Sequence, residues 1–123
     1  MATRSLISVV DDDESVRESL PVLLRMFGFP VQVFASAEAF LASGYLDETK
    51  CLILDVAMPG MSGPDLQEEL MRRGRQIPIV FITAYENAAV RRLVLQRGAV
   101  GCLSKPFSEK ALLEAMKCCL PAS

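Results

Sequence analysis

Short apolar runs alternate with amphipathic stretches along the whole 123-residue chain, and this alternation constrains the fold more than any other feature. The runs are rich in Val, Ile, Leu and Phe without strict alternation, as expected for strands covered on both faces. They predict strands at Leu6–Val10, Val31–Phe34, Cys51–Leu54, Ile79–Ile82 and Val100–Leu103. Strands that alternate with helices predict an α/β parallel sheet with helices on both faces and right-handed crossovers.

The amphipathic stretches predict five helices. Gly28 is placed as the C-terminal cap of the first, and Ser36 as the N-cap of a short second helix that ends near Gly44. The third ends at Gly74, the fourth runs from about Asn87 to Arg97, and the fifth runs from near Ser108 to before Pro121. The third also carries the i,i+4 pairs Glu68/Arg72 and Glu69/Arg73. The residues expected to face the core are Val16, Leu20, Leu23, Leu24, Phe27, Phe40, Leu41, Leu66, Leu70, Met71, Val90, Leu93, Val94, Leu112, Met116 and Cys119.

Length and composition predict one folded domain over residues 1–123. A hydrophobic content of 51% is enough for a substantial core, and the mean hydropathy is +0.31. The formal net charge of -2 argues against direct nucleic-acid binding. No apolar run approaches the ~20 residues that span a bilayer, and the N-terminus lacks the apolar region of a signal peptide. We therefore expect a cytoplasmic location without membrane contact.

The four cysteines, Cys51, Cys102, Cys118 and Cys119, lack C-x-x-C spacing, and the chain contains no histidine. A zinc site is therefore not indicated. Buried or incidental thiols in a reducing compartment are the expected state. A mechanism that needs an imidazole would have to take it from a partner.

Polar residues stand where the predicted strands end. Asp11 and Asp12 follow the first strand, Asp55 the third, Thr83 the fourth and Lys105 the fifth. In an open parallel sheet, ligands bind beyond the carboxyl ends of the strands. Clustered carboxylates favour a divalent cation such as Mg²⁺, with Mn²⁺ as an alternative. Phosphoryl transfer needs groups that neutralise the phosphoryl oxygens, and a cation, a lysine and a hydroxyl donor supply them. One more carboxylate beside them can accept the phosphoryl group.

Each of these residues also has a plainer interpretation. The acidic run that starts at Asp11 is typical of a helix N-terminus, where it suits the helix dipole. Asp55 precedes a Pro/Gly turn and is compatible with an ordinary turn residue. Thr83 suits a strand end or helix cap, and Lys105-Pro106 a plain strand-to-helix turn. The joint pattern, rather than any single residue, favours the phosphoryl site.

Across nearly its whole length the chain resembles a response-regulator receiver domain. The matching stretches are Val9-Val10-Asp11-Asp12-Asp13, Leu54-Asp55-Val56-Ala57-Met58-Pro59-Gly60-Met61-Ser62-Gly63, Ile82-Thr83-Ala84 and Lys105-Pro106-Phe107. The run after Asp55 is the most specific of them. Further stretches at 16–20 and 36–41 resemble receivers that are attached to helix-turn-helix outputs of the LuxR kind.

The resemblance implies a doubly wound, flavodoxin-like sheet of five strands in the order 2-1-3-4-5, an order for which a receiver is itself a standard example. It implies Asp55 as phosphoacceptor and a metal site formed by Asp11, Asp12, Asp55 and the backbone carbonyl of Ala57. It implies that Thr83 and Lys105 contact the phosphoryl group, with a cis Lys105–Pro106 bond. The implied donor is a phosphohistidine on a sensor histidine kinase.

The resemblance also implies an output and dimerisation face on helix four, strand five and helix five. Arg91, Arg92, Cys102 and Lys110 are expected to lie on it. Cys102 stands where the family usually has an aromatic residue, so the usual threonine–aromatic coupling is in question. Tyr85, two residues after Thr83, is either a gate that limits water access to the acyl phosphate or an ordinary exposed loop residue.

Two other classes of protein use similar residues. A phosphohydrolase of the haloacid dehalogenase kind also combines Asp, Thr, Lys and Mg²⁺, and Asp11-x-Asp13-x-Ser15 loosely resembles its first motif. The strongest motif here surrounds Asp55 instead, and the chain is short for such an enzyme. A pseudo-receiver would keep the fold without phosphorylation, but every key residue is present. A flavin-binding domain is disfavoured because no phosphate-cradling loop follows the first strand.

Overall fold

A computed structural model of the chain describes residues 5–119, in which five strands alternate with five helices. The strands are β1 (Leu6–Val10), β2 (Val31–Phe34), β3 (Thr49–Asp55), β4 (Ile79–Thr83) and β5 (Gly101–Ser104). The helices are α1 (Glu14–Met26), α2 (Ala37–Ala42), α3 (Gly63–Arg72), α4 (Ala88–Gln96) and α5 (Glu109–Cys119). The strands form one parallel sheet in the order β2-β1-β3-β4-β5, which confirms the predicted fold class.

The bounds of three strands differ from the prediction. β3 begins at Thr49 and includes Asp55, β4 includes Thr83, and β5 is shifted by one residue, to Gly101–Ser104. The parallel ladder pairs Asp55 with Ile82 and Thr83 with Ser104, so the backbone stays in the sheet after the apolar side chains stop. Asp55 and Thr83 are therefore held by sheet backbone and not by loops.

The apolar side chains form a layer on each face of the sheet. α1 and α5 cover one face with buried residues such as Leu24 and Leu112. α2, α3 and α4 cover the other with residues such as Phe40, Leu66 and Val94. Val94 is the one fully buried residue of α4, whereas α3 buries four. α4 is thus held less firmly by its apolar face than α3.

Two residues predicted to face the core are exposed to solvent instead. Met71 is 54% exposed and Leu93 is 39% exposed. Each directly adjoins a residue that is buried, Leu70 and Val94 respectively. Neighbours on a helix lie about 100° apart, so they do not share a narrow buried face. The predicted apolar stripe is therefore one residue too wide in each helix.

The ion pairs on α3 also differ from the prediction. Glu69 binds both Arg72 and Arg73, the latter at 2.7 Å, so the Glu69/Arg73 pair is confirmed. The Glu68/Arg72 pair is wrong, because Glu68 lies 3.6 Å from Arg97 on the neighbouring helix end. Long, exposed side chains form ion pairs with different neighbours at similar free energy, because each such pair contributes little to stability.

The cysteine prediction needs correction. Cys51 on β3 and Cys119 on α5 are joined by a disulfide, with their Cα atoms 6.0 Å apart. Both side chains are buried on the same face of the sheet, although 68 residues separate them in sequence. Cys102 and Cys118 are free thiols, as expected, and Cys102 is buried while Cys118 is exposed. Sequence spacing alone does not reveal a pairing that depends on which face each residue occupies.

The predicted caps are largely confirmed. The Ser36 hydroxyl accepts a hydrogen bond from the Ala39 amide at 3.0 Å, and Gly28 has φ 95° just after α1. A left-handed φ of this kind favours glycine at a helix end. The predicted end of the fifth helix before Pro121 lies outside the described residues. Among residues 5–119, no helix combines the length and apolar character needed to cross a bilayer.

Candidate functional site

The predicted site residues meet at the carboxyl edge of the sheet. Asp11 follows β1, Asp55 and Thr83 are the last residues of β3 and β4, and Lys105 follows β5. The chain runs outward from β1 to β2 on one side and through β3 to β5 on the other, so the strand order reverses between β1 and β3. Such a reversal opens a crevice at the strand ends. Asp11 and Asp55 stand on its two sides.

Three carboxylates cluster in this crevice. Asp11, Asp12 and Asp55 each offer an oxygen, and these oxygens all lie within 4.8 Å of one another. Asp11 is fully buried, Asp55 is 5% exposed, and Asp12 is open to solvent. The Oδ1 of Asp11 accepts a hydrogen bond from the Asp13 amide at 2.8 Å. Its Oδ2 is buried and has no hydrogen bond of good geometry among the described residues.

Lys105 lies against the two buried carboxylates. Its Nζ is 2.9 Å from Oδ2 of Asp11, an ion pair whose angle is poor for a hydrogen bond, and 3.7 Å from Oδ1 of Asp55. Burial alone would lower the pKa of Lys105, but the nearby Asp11 and Asp55 outweigh burial and raise it, so the ammonium stays protonated. The Lys105 amide donates to the Thr83 carbonyl at 2.7 Å. The predicted cis Lys105–Pro106 bond is confirmed.

The neighbouring charges and burial in the crevice change the pKa of Asp55. Burial, together with the negative charge of Asp11, raises the pKa of Asp55 to about 7, and Lys105 only partly opposes this rise. One ammonium therefore does not compensate both buried carboxylates. A further cation would, and clustered carboxylate oxygens are the ligands that Mg²⁺ prefers. The tight cluster of carboxylate oxygens fits such an ion.

Thr83 is turned toward its own loop. Its hydroxyl donates to the Tyr85 carbonyl at 2.8 Å and accepts from the Tyr85 amide at 3.2 Å. The Tyr85 side chain is 82% exposed. Thr83 therefore stands at the crevice edge, with its hydroxyl hydrogen committed to the backbone that follows.

Several supporting residues were not predicted. A Cβ on Gly63 would lie 2.3 Å from the Asp55 carbonyl, so only glycine fits where α3 passes the acidic strand end. Ser62 and Asp65 cap that helix reciprocally, a pattern readable as Ser-x-x-Asp. Arg17 donates to the Asp11 carbonyl at 3.0 Å, and the Glu38 carboxylate accepts from the Met61 amide at 3.1 Å. The contact between Glu38 and Met61 joins segments 23 residues apart and leaves no local signal.

The proposed output face is only partly exposed. Arg92 and Lys110 are exposed, as predicted, and Arg91 is half-buried. Cys102 was wrongly placed on this surface, since its side chain is 7% exposed and packs in the layer beneath α4. Arg91 covers it and donates to the Cys102 carbonyl at 2.8 Å.

Comparisons with known proteins agree with this geometry. A model of the response regulator receiver domain matches residues 7–117. Nodulation protein W of Bradyrhizobium diazoefficiens is 44% identical over 115 residues, which cover 94% of this chain and 51% of that protein. Transcriptional regulatory protein FixJ of Azorhizobium caulinodans is 37% identical, covering 95% and 56%. The structure of response regulator StyR is 46% identical with a TM-score of 0.88, covering 96% of this chain and 60% of that one.

The chain spans about half the length of the curated relatives it matches. The match extends over nearly all of the sequence, and the sheet order is that of the solved receivers. The chain therefore belongs to the response-regulator receiver domain family.

Proposed function

We propose that this domain accepts a phosphoryl group on Asp55 from a phosphohistidine of a partner sensor histidine kinase. One observation carries the proposal: the buried Asp55 carboxylate lies 3.7 Å from the Lys105 ammonium, within an acidic cluster that is short of positive charge. A cation and an incoming phosphoryl group would together restore that balance. The absence of histidine from the chain agrees with a donor on another protein.

In the transfer, an oxygen of the Asp55 carboxylate attacks phosphorus while the phosphorus–nitrogen bond of the donor breaks. The electron pair of that bond returns to the imidazole, and an aspartyl phosphate forms. Asp11, Asp12, Asp55 and the Ala57 carbonyl would hold Mg²⁺ or Mn²⁺, which when bound neutralises charge on the phosphoryl oxygens. Lys105, oriented by Asp11, would pair with the phosphoryl group.

The proposed consequence is a switch of the surface formed by α4, β5 and α5. To reach a phosphoryl oxygen, the Thr83 hydroxyl would have to leave the Tyr85 carbonyl that it now contacts. That rearrangement would move the start of α4 and alter the face bearing Arg92 and Lys110, favouring dimerisation. In a longer cytoplasmic regulator, the same change would control a helix-turn-helix output and thereby transcription. The names of relatives such as FixJ support this role.

Tyr85 is proposed to limit access of water to the aspartyl phosphate, because its side chain projects from the loop that carries Thr83. Tyr85→Ala should then shorten the lifetime of the phosphorylated domain severalfold. Loss of phosphate after removal of the donor measures that lifetime. A rate of phosphate loss equal to that of the parent would mean that Tyr85 is an ordinary exposed loop residue.

The deciding experiment is intact-mass measurement after incubation with acetyl phosphate, with and without Mg²⁺. We expect the parent to gain one phosphate in Mg²⁺ and none without it. Asp55→Asn should gain none, whereas the exposed-residue control Asp47→Asn should behave as the parent. A folded parent that stays unmodified by acetyl phosphate and by phosphorylated kinases would favour a phosphorylation-independent domain. Turnover of a simple phosphate ester would instead favour the phosphohydrolase.

A further inference from the structure

A polar cluster outside the phosphoryl site ties the loop at 84–87, between β4 and α4, to the end of β5. The cluster consists of Glu86, Arg91 and Ser104, and we call it the Glu86 cluster. The Ser104 hydroxyl donates to Oε2 of Glu86 across 18 residues of sequence. The other carboxylate oxygen, Oε1, lies 3.7 Å from Nη1 of Arg91. The same Nη1 donates to the Cys102 carbonyl at 2.8 Å.

The Glu86 cluster links the loop after Thr83 to the strand that pairs with Thr83 in the sheet. Glu86 follows Tyr85, whose carbonyl and amide both bind the Thr83 hydroxyl. Ser104 precedes Lys105 and pairs with Thr83 in the sheet. Two contacts therefore hold this segment. One is the hydrogen bond between the Thr83 hydroxyl and the Tyr85 backbone, and the other is the side-chain bridge from Glu86 to Ser104.

These contacts matter because little else holds the start of α4. The residues at 84–89 are all exposed, and Val94 is the one fully buried residue of the helix. Surface ion pairs are ordinarily weak. Here, however, the cluster combines an ion pair with charge-assisted hydrogen bonds to a hydroxyl and a backbone carbonyl. The cluster therefore stabilises a segment that has few other contacts. In such a segment, a small change in free energy shifts the populations of its conformations.

We propose that Glu86 is a positioning residue, which holds the loop at 84–87 in the conformation that keeps the Thr83 hydroxyl away from the phosphoryl site. Phosphorylation must break this hold before Thr83 can reach the phosphoryl group, so the Glu86 cluster sets how readily the domain switches. The inference rests on the proposed function of Asp55. It predicts that loosening the Glu86 cluster favours the phosphorylated conformation and leaves metal binding unchanged.

The test uses beryllofluoride, a stable phosphoryl mimic, titrated at constant Mg²⁺ and followed by amide NMR. We compare the parent with Glu86→Ala and with Ser104→Ala, which removes the same bridge from its other end. Both should bind beryllofluoride about three- to tenfold more tightly, since loss of the bridge removes part of the cost of moving the loop. The two substitutions together should give no more than one alone. Glu48→Ala, at an exposed glutamate in another loop, should match the parent.

A second titration separates positioning from a general structural effect. In a Thr83→Ala background the loop position no longer affects contact with the phosphoryl mimic, so Glu86→Ala should change the affinity by less than about twofold. Affinity for Mg²⁺ alone should be the same in the parent and Glu86→Ala. Unchanged or weaker beryllofluoride binding by Glu86→Ala overturns the inference, as does an equal gain in the Thr83→Ala background. Failure of the parent itself to bind the mimic contradicts the proposed function and removes the inference with it.

Discussion

Leu54 and Asp55 are neighbours at the end of β3 and are both buried, yet burial has opposite consequences for the two side chains. Leu54 is 0% exposed and packs in the layer beneath α3. Removing such a side chain from water favours folding by about 2 kcal/mol. Asp55 is 5% exposed, and burial raises its pKa to about 7, so the ionised carboxylate opposes folding.

This difference separates two buried regions of the molecule. The interior of the sheet is apolar and contributes to stability, whereas its carboxyl edge keeps carboxylates whose charge is only partly compensated by Lys105. An arrangement that lowers stability is expected where a site is prepared for a ligand of opposite charge. The sign of a substitution's effect on stability should therefore reverse within one residue along β3.

The largest effect is expected in the interior. Leu54→Ala should lower the free energy of unfolding by about 3 kcal/mol, because a fully buried side chain is lost and a cavity remains. Leu95→Ala, at a residue that is 40% exposed on α4, should change it by less than about 0.5 kcal/mol. Urea denaturation of both variants measures the contrast. Equal losses would mean that α4 buries more than its contacts indicate.

The disulfide should contribute a similar amount to stability. Reducing the Cys51–Cys119 bond frees a loop of 68 residues in the unfolded chain and should lower the free energy of unfolding by about 3 kcal/mol. Cys51→Ala should give a loss similar to that caused by a dithiol reductant, and the reductant should then have no further effect. Cys118→Ala, at an exposed thiol, is the control. A parent that is equally stable in oxidant and in reductant would contradict a structural role for the bond.

At the carboxyl edge of the sheet, a substitution should raise the free energy of unfolding instead of lowering it. Without Mg²⁺ at pH 8, Asp55→Asn should raise the free energy of unfolding by about 2 kcal/mol. The pKa of Asp55 is about 7 in the folded state against an ordinary value of 3.8, so the unfolded chain releases its proton first as pH rises. The parent therefore loses stability between about pH 4 and 7, and the gain from asparagine should vanish below that window.

Asp12→Asn is the matched control, because Asp12 shares the oxygen cluster but is exposed to solvent. Its substitution should have a clearly smaller effect at pH 8 than that of Asp55. Denaturant titrations of the three proteins at pH 4 and pH 8 provide the comparison. A loss of stability in Asp55→Asn at pH 8 would show that Lys105 compensates the carboxylate more fully than the geometry indicates.

The sequence predicted the interior and the edge unequally well. Strand positions followed from apolar runs, because a parallel sheet buries whole segments and leaves a strong local signal. Asp11, Asp55, Thr83 and Lys105 were predictable as a group, since strand ends in such a sheet meet at one edge. Their roles came from family resemblance, because spacing alone does not distinguish a phosphoacceptor from a turn residue.

Contacts between distant segments were not predictable. The Cys51–Cys119 bond and the Glu86–Ser104 bridge depend on which face or loop each residue occupies, and neither leaves a periodic pattern. The burial of Cys102 was missed for the same reason, because the short strand β5 has one face under α4. The pKa of Asp55 likewise depends on burial and on a neighbour from another strand.

Magnesium should partly cancel the contrast between interior and edge. At ten times its dissociation constant, Mg²⁺ should stabilise the folded parent by about 1.4 kcal/mol, because the ion binds the assembled cluster and not the unfolded chain. Asp55→Asn should gain less at the same concentration, since one charged ligand is missing, and Leu54→Ala should gain as much as the parent if its edge remains folded. Thermal unfolding at several Mg²⁺ concentrations at pH 8 measures all three. Equal stabilisation of the parent and Asp55→Asn would mean that the ion binds elsewhere, and the buried carboxylate at the end of β3 would need another explanation.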